Sequence, residues 1–333
     1  MKKSLRFLLS LSLVFAFLIL AACGGGSSNP KKVRVFEVTH SIFYAPQYVA
    51  LEKGFFAEEG LEVEVTNANG GDKAMTALLS NNAEVILMGT EATIYVKNQG
   101  SSDPAVNFAQ LTQADGSFLV SREPIDNFTW DMLKGKTLIG QRKGGMPQMV
   151  SEFVQKNNGV IPFKDVEIIQ NIDYANLGSA FASGTGDFVQ LFEPIGSKLE
   201  LEGKGHVVAS FGQDSGKLPY TVYITKQSFI NNNPDTVQKF TNAVYKAQQW
   251  VANHSSEEIA DVIAPHFPEL DRPTMLKVLD RFKAIDAFAT DPILDEEEYH
   301  NLEAVMENAG ELKQKVDYKD IVNTEFAKKA MKQ

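Results

Sequence analysis

The chain has 333 residues and carries 32 basic against 42 acidic side chains, a formal net charge of −10 at pH 7. This acidic balance argues against nucleic-acid binding and provides no basic face for an anionic lipid surface. Cys23 is the only cysteine in the sequence, which excludes an intrachain disulfide bond and a cysteine-based zinc site.

The N-terminal segment has the pattern of a secretion signal. Lys2-Lys3 precedes an apolar run over residues 7–22, which is shorter than the roughly 20 residues that a membrane-spanning helix needs. The run ends in Leu20-Ala21-Ala22-Cys23, which resembles the bacterial lipobox, where the cysteine is lipidated. We therefore predict a lipoprotein signal peptide over residues 1–22 with lipidation of Cys23. An ordinary signal peptide with a chance cysteine is the alternative.

A polar segment rich in Gly, Ser and Asn follows the cysteine. Residues 23–32 are predicted to form a lipidated, flexible tether that lets the folded part stand off the membrane. The expected location is extracytoplasmic, with the anchor as the only contact to the cell membrane.

Strand and helix patterns alternate after this tether. Three strands are predicted, each followed by a helix. Asp72 is predicted to cap the second of these helices and Thr90 the third. The strands lie at 33–38, 61–65 and 85–88 and the helices at 44–52, 72–80 and 90–99. The strand-turn-helix order predicts a mostly parallel sheet, with ligand-binding groups where strands end and helices begin.

The same order restarts after residue 123, and we interpret the two stretches as two lobes. In the second stretch, strands are predicted at 136–140, 166–170 and 187–192 and a helix at 146–157. Two extended apolar runs, 118–121 and 220–224, are predicted to connect the lobes. The chain after residue 226 is predicted to be helical, with helices at 235–252, 257–264, 273–284 and 295–309.

Four stretches together resemble one protein family. They are APQYVALEKGFFAEEGL at 45–61, NAEVILMG at 82–89, LKGKT at 133–137 and FEP at 192–194. The resemblance is to bacterial ABC-importer solute-binding proteins, in the branch of sulfonate, nitrate, riboflavin and thiamine-pyrimidine binders. It covers roughly residues 33–325.

The resemblance implies an α/β fold, the two-lobed type-II periplasmic-binding-protein fold with two crossover hinge strands. Lobe I would then hold residues 33–121 plus 226–333, and lobe II residues 122–225. The two connecting runs are compatible with these crossovers. None of the four stretches identifies a ligand.

The candidate ligand-binding residues occupy the predicted ends of strands. Aromatic side chains there would stack on a flat ligand, glycines would let the backbone approach it, and polar side chains would bind it by hydrogen bonds. Buried core aromatics and simple turns are the alternatives. The candidates are Thr39, His40, Ser41, Phe43, Tyr44, Gln47, Gly70, Gly71, Met88, Gly89, Thr90, Glu91, Gly144, Gly145, Met146, Tyr174 and Glu193.

Glu193 and the nearby cations bear on the class of ligand. The resemblance places the acidic residue of the FEP stretch at the cleft, where it would accept from an amine; a hinge or inter-lobe hydrogen bond is the alternative. Arg142 and Lys143 are the only cations beside the predicted cleft segments. We therefore favour an aminopyrimidine-like thiamine precursor over an alkanesulfonate, taurine or nitrate.

The expected function is that of a non-catalytic, monomeric receptor. It would capture a small nutrient without a cofactor and deliver it to an ABC permease powered by a cytoplasmic ATPase. The five histidines are scattered, so no metal site is predicted. A pyrimidine-precursor synthase shares the implied fold, but that resemblance would call for a cysteine cluster. A sensor domain would need a transmembrane helix and an output module.

Overall fold

Two five-stranded sheets form the framework of the protein, whose computed structural model describes residues 29–332. The predicted signal peptide and Cys23 lie outside the described residues. The strands are β1 (Lys31–Glu37), β2 (Leu61–Asn67), β3 (Val85–Gly89), β4 (Ala105–Thr112), β5 (Ser117–Ser121), β6 (Thr137–Ile139), β7 (Glu167–Ile169), β8 (Phe188–Phe192), β9 (His206–Ser210) and β10 (Thr221–Lys226). The first sheet has the order β2-β1-β3-β10-β4 and the second β7-β6-β8-β5-β9.

Helices connect most of these strands and make up the chain after β10. They are α1 (Ala45–Glu52), α2 (Phe55–Glu58), α3 (Gly71–Leu79), α4 (Glu91–Asn98), α5 (Met146–Asn157), α6 (Leu177–Ala182), α7 (Ile195–Leu201), α8 (Phe211–Ser215), α9 (Gln227–Asn232), α10 (Pro234–Ala252), α11 (Ser256–Ile263), α12 (Arg272–Ala284), α13 (Glu296–Asn308), α14 (Tyr318–Ile321) and α15 (Glu325–Ala330). Single 3₁₀ turns lie at Ile42–Tyr44, Trp130–Leu133, Tyr174–Asn176 and Ala264–His266.

One strand in each sheet runs against its neighbours. β1 and β3 pair in parallel, as β6 does with β7 and β8. β10 is antiparallel to β3 and β4, and β5 is antiparallel to β8 and β9. These two strands are the ones that the chain enters when it crosses from one sheet to the other. The predicted parallel order therefore holds for the strand-helix units and not for the crossing strands.

The two crossings lie side by side. The first, residues 113–116, joins β4 to β5, and the second, residues 211–220, joins β9 to β10. Leu218 donates its backbone N–H to the Gln113 carbonyl at 3.1 Å. A methyl group on Gly212 would lie 2.1 Å from the Asp115 carbonyl oxygen, so this close approach requires glycine.

The burial of the strands follows their positions. β4, β5 and β8 are buried at every residue, as expected for strands covered on both faces. β1 alternates instead, with Val33 and Val35 fully buried and Arg34 half-buried. β4 was not predicted because Asn107 and Gln110 interrupt its apolar pattern, yet both side chains are buried there.

Several boundaries differ from the sequence-based predictions. β1 begins at Lys31, two residues inside the predicted tether. Gly70, not Asp72, is the N-cap of α3, and Thr90 precedes α4 without a capping hydrogen bond because its hydroxyl donates to the Pro219 carbonyl. The chain changes sheet at 113–116 and 211–220, whereas the lobe boundaries were placed at 121/122 and 225/226. The two-lobe division stays a prediction.

Candidate functional site

Two buried carboxylates lie where the two sheets approach each other. Glu91 begins α4 directly after β3, and Asp115 lies in the first crossing. Glu91 is 8% exposed and Asp115 fully buried, and neither has an ion-pair partner among residues 29–332. Glu91 Oε2 and Asp115 Oδ2 also lack hydrogen-bond partners. Such groups are costly to bury without a partner, which makes these two carboxylates candidates for contact with a ligand.

A directional chain of hydrogen bonds fixes the Asp115 carboxylate. Gln190 on β8 donates through Nε2 to Ser117 Oγ at 2.8 Å, and Ser117 donates both its hydroxyl and its backbone N–H to Asp115 Oδ1, the latter at 2.6 Å. Burial raises the pKa of Asp115 to about 7, while Ser117 and the Tyr220 hydroxyl act in the opposite direction. Gln190 Oε1 is a third buried acceptor without a partner.

The Glu91 carboxylate lies at the N-terminus of α5, which follows β6 in the second sheet. Burial raises the pKa of Glu91 to about 7, opposed by the backbone N–H groups of Glu91 itself and of Met146, the first residue of α5. The carboxylate covers Gly89, where a methyl group would lie 2.0 Å from Glu91 Oε2. Glu91 thus lies on the helix that follows β3 of the first sheet, and it faces the helix that follows β6 of the second sheet.

Tyrosines surround these carboxylates. Burial raises the pKa of Tyr220 well above its ordinary value, and the nearby charges of Asp115 and Glu91 raise it further. Burial also raises the pKa of Tyr44 well above its ordinary value, and the charges of Glu37 and Glu91 add to this effect. Tyr220 is 5% exposed, and its hydroxyl faces the Asp115 carboxylate, whose pKa it lowers, although the two groups form no hydrogen bond of normal geometry. The structure therefore brings Tyr44 and Glu91, both predicted from the sequence, together with the unpredicted Asp115 and Tyr220.

The predicted aromatic pair is divided between core and site. Phe43 is 1% exposed and lies within about 6 Å, between ring centroids, of Tyr44, Phe192, Tyr220 and Phe282, so it packs as a core residue. Gly116 in the first crossing leaves room for its ring.

Tyr174 reaches from the second sheet to the first. Its ring centroid lies 6.2 Å from that of Phe192, and its hydroxyl interacts with the side chain of Thr39. Tyr174 is 42% exposed, whereas Tyr44 is 3% exposed. Tyr174 and Thr39 thus join the ends of β7 and β1 across the two sheets.

The polar residues after β1 bind mostly to the protein itself. Glu37 accepts from Gln47 Nε2 at 2.8 Å and from the Tyr48 hydroxyl at 2.7 Å, and its other oxygen lies 2.8 Å from His40 Nδ1. The hydrogen bond to Glu37 raises the pKa of His40. His40 and Gln47 therefore fix β1 against α1, and the ligand contacts predicted for them stay a prediction.

Ser41 caps the 3₁₀ turn before α1. Its Oγ accepts from the Phe43 backbone N–H at 3.2 Å and donates to the Glu193 carbonyl at 3.5 Å. Ser41 therefore connects the end of β1 with the end of β8, from the first sheet to the second.

Two of the predicted glycine turns begin helices. Gly70 has a φ of 143° and precedes α3, and Gly71 packs against Met88. Gly144 has a φ of 83°, and its carbonyl accepts from the Tyr95 hydroxyl at 3.2 Å. Gly145 is the N-cap of α5, so the Gly144-Gly145-Met146 turn lies at Glu91.

Glu193 is saturated by protein donors. Ser197 donates its backbone N–H to Oε2 at 2.8 Å and its hydroxyl to Oε1 at 3.0 Å, and Arg281 on α12 donates to Oε1 at 2.5 Å. These hydrogen bonds favour the alternative to a ligand contact, in which Glu193 forms a hinge or inter-lobe hydrogen bond. Arg281 is 88 positions from Glu193, so sequence reasoning missed it.

Asp115, Tyr220 and Gln190 were missed for a related reason. They lie in the crossings and within a buried strand, where no strand-to-helix turn marks them. The available signal was an isolated acidic residue in the apolar context of residues 105–121, since an acid is rarely buried there without a purpose.

Other candidate features are weaker. A pocket of about 200 Å³ lined by Asn81, Glu84 and Lys226 lies where the chain enters β3 and leaves β10. Its charges are paired within the protein, Glu84 with Arg34 and Lys226 with Asp103. Residues 29–332 contain no group of three or more His, Cys, Asp or Glu side chains suited to a metal ion. None of the helices in this range has the length and apolar character needed to cross a bilayer.

The sequence matches a known family and is similar to several proteins of that kind. The family model described as NMT1/THI5 like matches residues 42–258. "Putative binding protein YtlA" of Bacillus subtilis is 53% identical over 95% of this chain and 94% of its own length. "Putative aliphatic sulfonates-binding protein" of the same organism is 24% identical over 96% of each chain, and "Formylaminopyrimidine-binding protein" of Halalkalibacterium halodurans is 24% identical over 80% of this chain and 82% of its own.

Solved structures show the same fold. The alkanesulfonate-binding protein SsuA from Xanthomonas axonopodis pv. citri, bound to MOPS, matches with a TM-score of 0.70 and 15% identity over 89% of this chain and 99% of that chain. The periplasmic nitrate-binding protein NrtA from Synechocystis PCC 6803 matches with a TM-score of 0.67 and 18% identity over 91% and 88%. These likenesses confirm the predicted α/β periplasmic-binding-protein fold.

Proposed function

Because the chain belongs to the NMT1/THI5-like family, we propose that it is the extracytoplasmic solute-binding component of an ABC importer. A relative that is 53% identical to this chain is named a putative binding protein, and two solved structures of the same fold are binding proteins. The two sheets joined by paired crossings suit a body that closes on a small molecule and presents the closed form to a permease. A receptor of this kind has no catalytic step.

The ligand class follows from the buried acceptors between the sheets. Glu91 Oε2, Asp115 Oδ2 and Gln190 Oε1 are unpartnered, and Tyr44 and Tyr220 border them. A flat heterocycle with an exocyclic amine or a ring N–H would supply donors to these oxygens and a surface for the aromatic rings. An aminopyrimidine therefore suits the site, and the single observation that carries the proposal is the pair of uncompensated carboxylates.

An anionic ligand is the second candidate, because two relatives are named for sulfonate or nitrate binding. A sulfonate would be repelled by both carboxylates, and no cation compensates them among residues 29–332.

Titration calorimetry of the purified mature protein with 4-aminopyrimidine and with 1-butanesulfonate tests the ligand class. We expect binding of the aminopyrimidine and none of the sulfonate at pH 7.5. Asp115→Asn should weaken aminopyrimidine binding at least tenfold, since it removes the charge but retains the shape. Glu193→Gln serves as the contrasting variant, with an unchanged affinity for both probes because Glu193 is occupied by Ser197 and Arg281. Binding of butanesulfonate alone would reverse the proposal.

The membrane attachment is proposed from the sequence alone. Lipidation of Cys23 would hold a monomeric body at the cell membrane through residues 24–30, close to its permease. Cys23→Ala should move the protein from the membrane fraction to the soluble fraction after cell lysis, while the circular dichroism of the folded body stays the same. Full retention of this variant in the membrane fraction would rule out the lipid as the anchor.

A further inference from the structure

We propose that Glu91 sets the charge selectivity of the site, because its carboxylate occupies the place at the N-terminus of α5 that an anionic ligand would take. This inference deepens the proposed function and rests on it for the location of the ligand. The helix N-terminus is the part of an α/β body that attracts anions, since its first N–H groups have no partners within the helix. Here a side chain of the first sheet supplies the anion.

The first observation is the position of the carboxylate. Glu91 is 92% buried on α4, and Tyr95 of the same helix donates its hydroxyl to the Gly144 carbonyl at 3.2 Å, which brings α4 against the turn before α5. The backbone N–H of Met146 opposes the effect of burial on the pKa of Glu91. α5 is 12 residues long, and in its first turn Met146 offers a backbone N–H while Pro147 has none. Gly145 precedes the helix without a side chain, and no capping side chain competes for the same N–H groups.

The second observation is that one oxygen of the Glu91 carboxylate forms no hydrogen bond within the protein. Oε2 is buried and unpartnered, so the side chain retains an acceptor that is directed at no group of the chain. Gly89 is needed for this arrangement, because any side chain there would overlap Oε2. A residue retained only to cap α5 would satisfy its second oxygen as well, as Ser197 and Arg281 do for Glu193.

The negative charge of Glu91 affects anionic and cationic ligands in opposite ways. A sulfonate or nitrate entering at Met146 would meet the like charge of Glu91 within a few ångströms in a water-poor site. At an effective dielectric constant of about 20, such a repulsion lowers affinity on the order of a hundredfold or more. A cationic or amine-bearing group gains affinity from the same charge. Glu91 therefore acts as a fixed counter-ion that favours donors and rejects anions.

The experiment removes the charge in two ways and measures two probes. Glu91→Gln keeps the shape, and Glu91→Ser opens space at Met146 with a small neutral group. Calorimetry of the full mature protein is run with 1-butanesulfonate and with 4-aminopyrimidine at pH 7.5. We expect both variants to bind butanesulfonate at least tenfold more tightly than the unaltered protein does. Their affinity for 4-aminopyrimidine should fall at least tenfold.

Glu152→Gln is the matched control. Glu152 is a buried carboxylate on α5, and its Oε1 accepts from Gln148 at 2.5 Å. Its neutralisation removes the same charge from the same helix away from the N-terminus. We expect unchanged affinity for both probes. Circular dichroism and thermal unfolding confirm that each variant is folded, and the two Glu91 variants give independent readings if one of them does not fold.

The two probes separate this inference from the proposed function. If neither folded Glu91 variant gains affinity for butanesulfonate, or if the unaltered protein already binds it tightly, the role of Glu91 is refuted. If the variants gain sulfonate affinity while no form of the protein binds 4-aminopyrimidine, the role of Glu91 holds and the proposed ligand class fails.

Discussion

At the scale of single residues, the site is defined by charges that the fold does not compensate. Glu193 shows the usual treatment of a buried acid, with three donors on its two oxygens. Glu91 and Asp115 each retain one free oxygen, and burial raises the pKa of both to about 7. Their burial costs free energy of folding, which a donor-bearing ligand would offset.

This cost predicts how the stability of the ligand-free protein depends on pH. Both acids have a folded pKa above the unfolded value, so the folded state binds more protons between about pH 4 and 7. Their contribution is therefore most favourable below about pH 4 and is lost as pH rises through about 7. Relative to the unaltered protein, Glu91→Gln and Asp115→Asn should each raise the free energy of unfolding at pH 8 by on the order of 3 kcal/mol, and by much less at pH 4.5.

Urea unfolding at pH 4.5, 6 and 8 measures this difference. Glu62→Gln, an exposed residue on β2, is the control and should show no such pH dependence. Equal effects of Asp115→Asn at pH 4.5 and pH 8 would contradict the assignment of a raised pKa to this group.

At the scale of elements, the paired crossings fix where the carboxylates lie. Asp115 occupies the first crossing, and its carbonyl touches Gly212 at the start of the second. Leu218 and Tyr220 continue the pairing through backbone hydrogen bonds to Gln113 and Thr112, each 3.1 Å long. The two crossings are therefore paired with each other along their length, and they contain Asp115 and Tyr220 of the candidate site.

A methyl group at the contact between the crossings tests this arrangement. Gly212→Ala would place a carbon 2.1 Å from the Asp115 carbonyl, so the backbone must move, and we expect a loss of about 1–3 kcal/mol in stability. Gly196→Ala is the matched control on α7, where the nearest atoms lie at 3.5 Å and alanine should be neutral or stabilising by up to about 1 kcal/mol. Urea unfolding compares them, and an equally stable Gly212→Ala protein would show that the crossings separate readily.

At the scale of the whole molecule, several side-chain contacts join the two sheets beside the crossings. Thr39 with Tyr174, Ser41 with Glu193, and Tyr95 with Gly144 all join a residue near the first sheet to one near the second. Ion pairs of Arg281 on α12 with Glu193 and Glu200, and the apolar contact of Phe43 with Phe192, also join the two parts. Separation of the sheets about the crossings would therefore break ion pairs and apolar contacts as well as hydrogen bonds.

Closure about the crossings is therefore expected to depend on ligand. Small-angle X-ray scattering of the mature protein should show a smaller radius of gyration when 4-aminopyrimidine is saturating, with no change in far-ultraviolet circular dichroism, because closure moves rigid bodies. Asp115→Asn protein at the same probe concentration should stay at the ligand-free size. A ligand-bound protein of unchanged size would argue against a hinged receptor.

The sequence by itself determined the order of the strand-helix units, the family and the fold. These follow from local patterns: the α5 helix was predicted at 146–157 as observed, and strand β8 within one residue, because apolar periodicity and Gly-Pro signals act over short distances. The sequence also pointed to Tyr44, Glu91 and the Gly144-Gly145-Met146 turn, since strand ends in such sheets carry polar groups.

Only the tertiary structure decided which charges are free. Arg281 neutralises Glu193 from 88 positions away, whereas Asp115 and Glu91, both close to Tyr220, have no ion-pair partner among residues 29–332. His40 and Gln47, which looked available in the sequence, bind Glu37 instead. Pairing and burial are set by contacts between residues distant in the chain, and local sequence patterns carry no record of them.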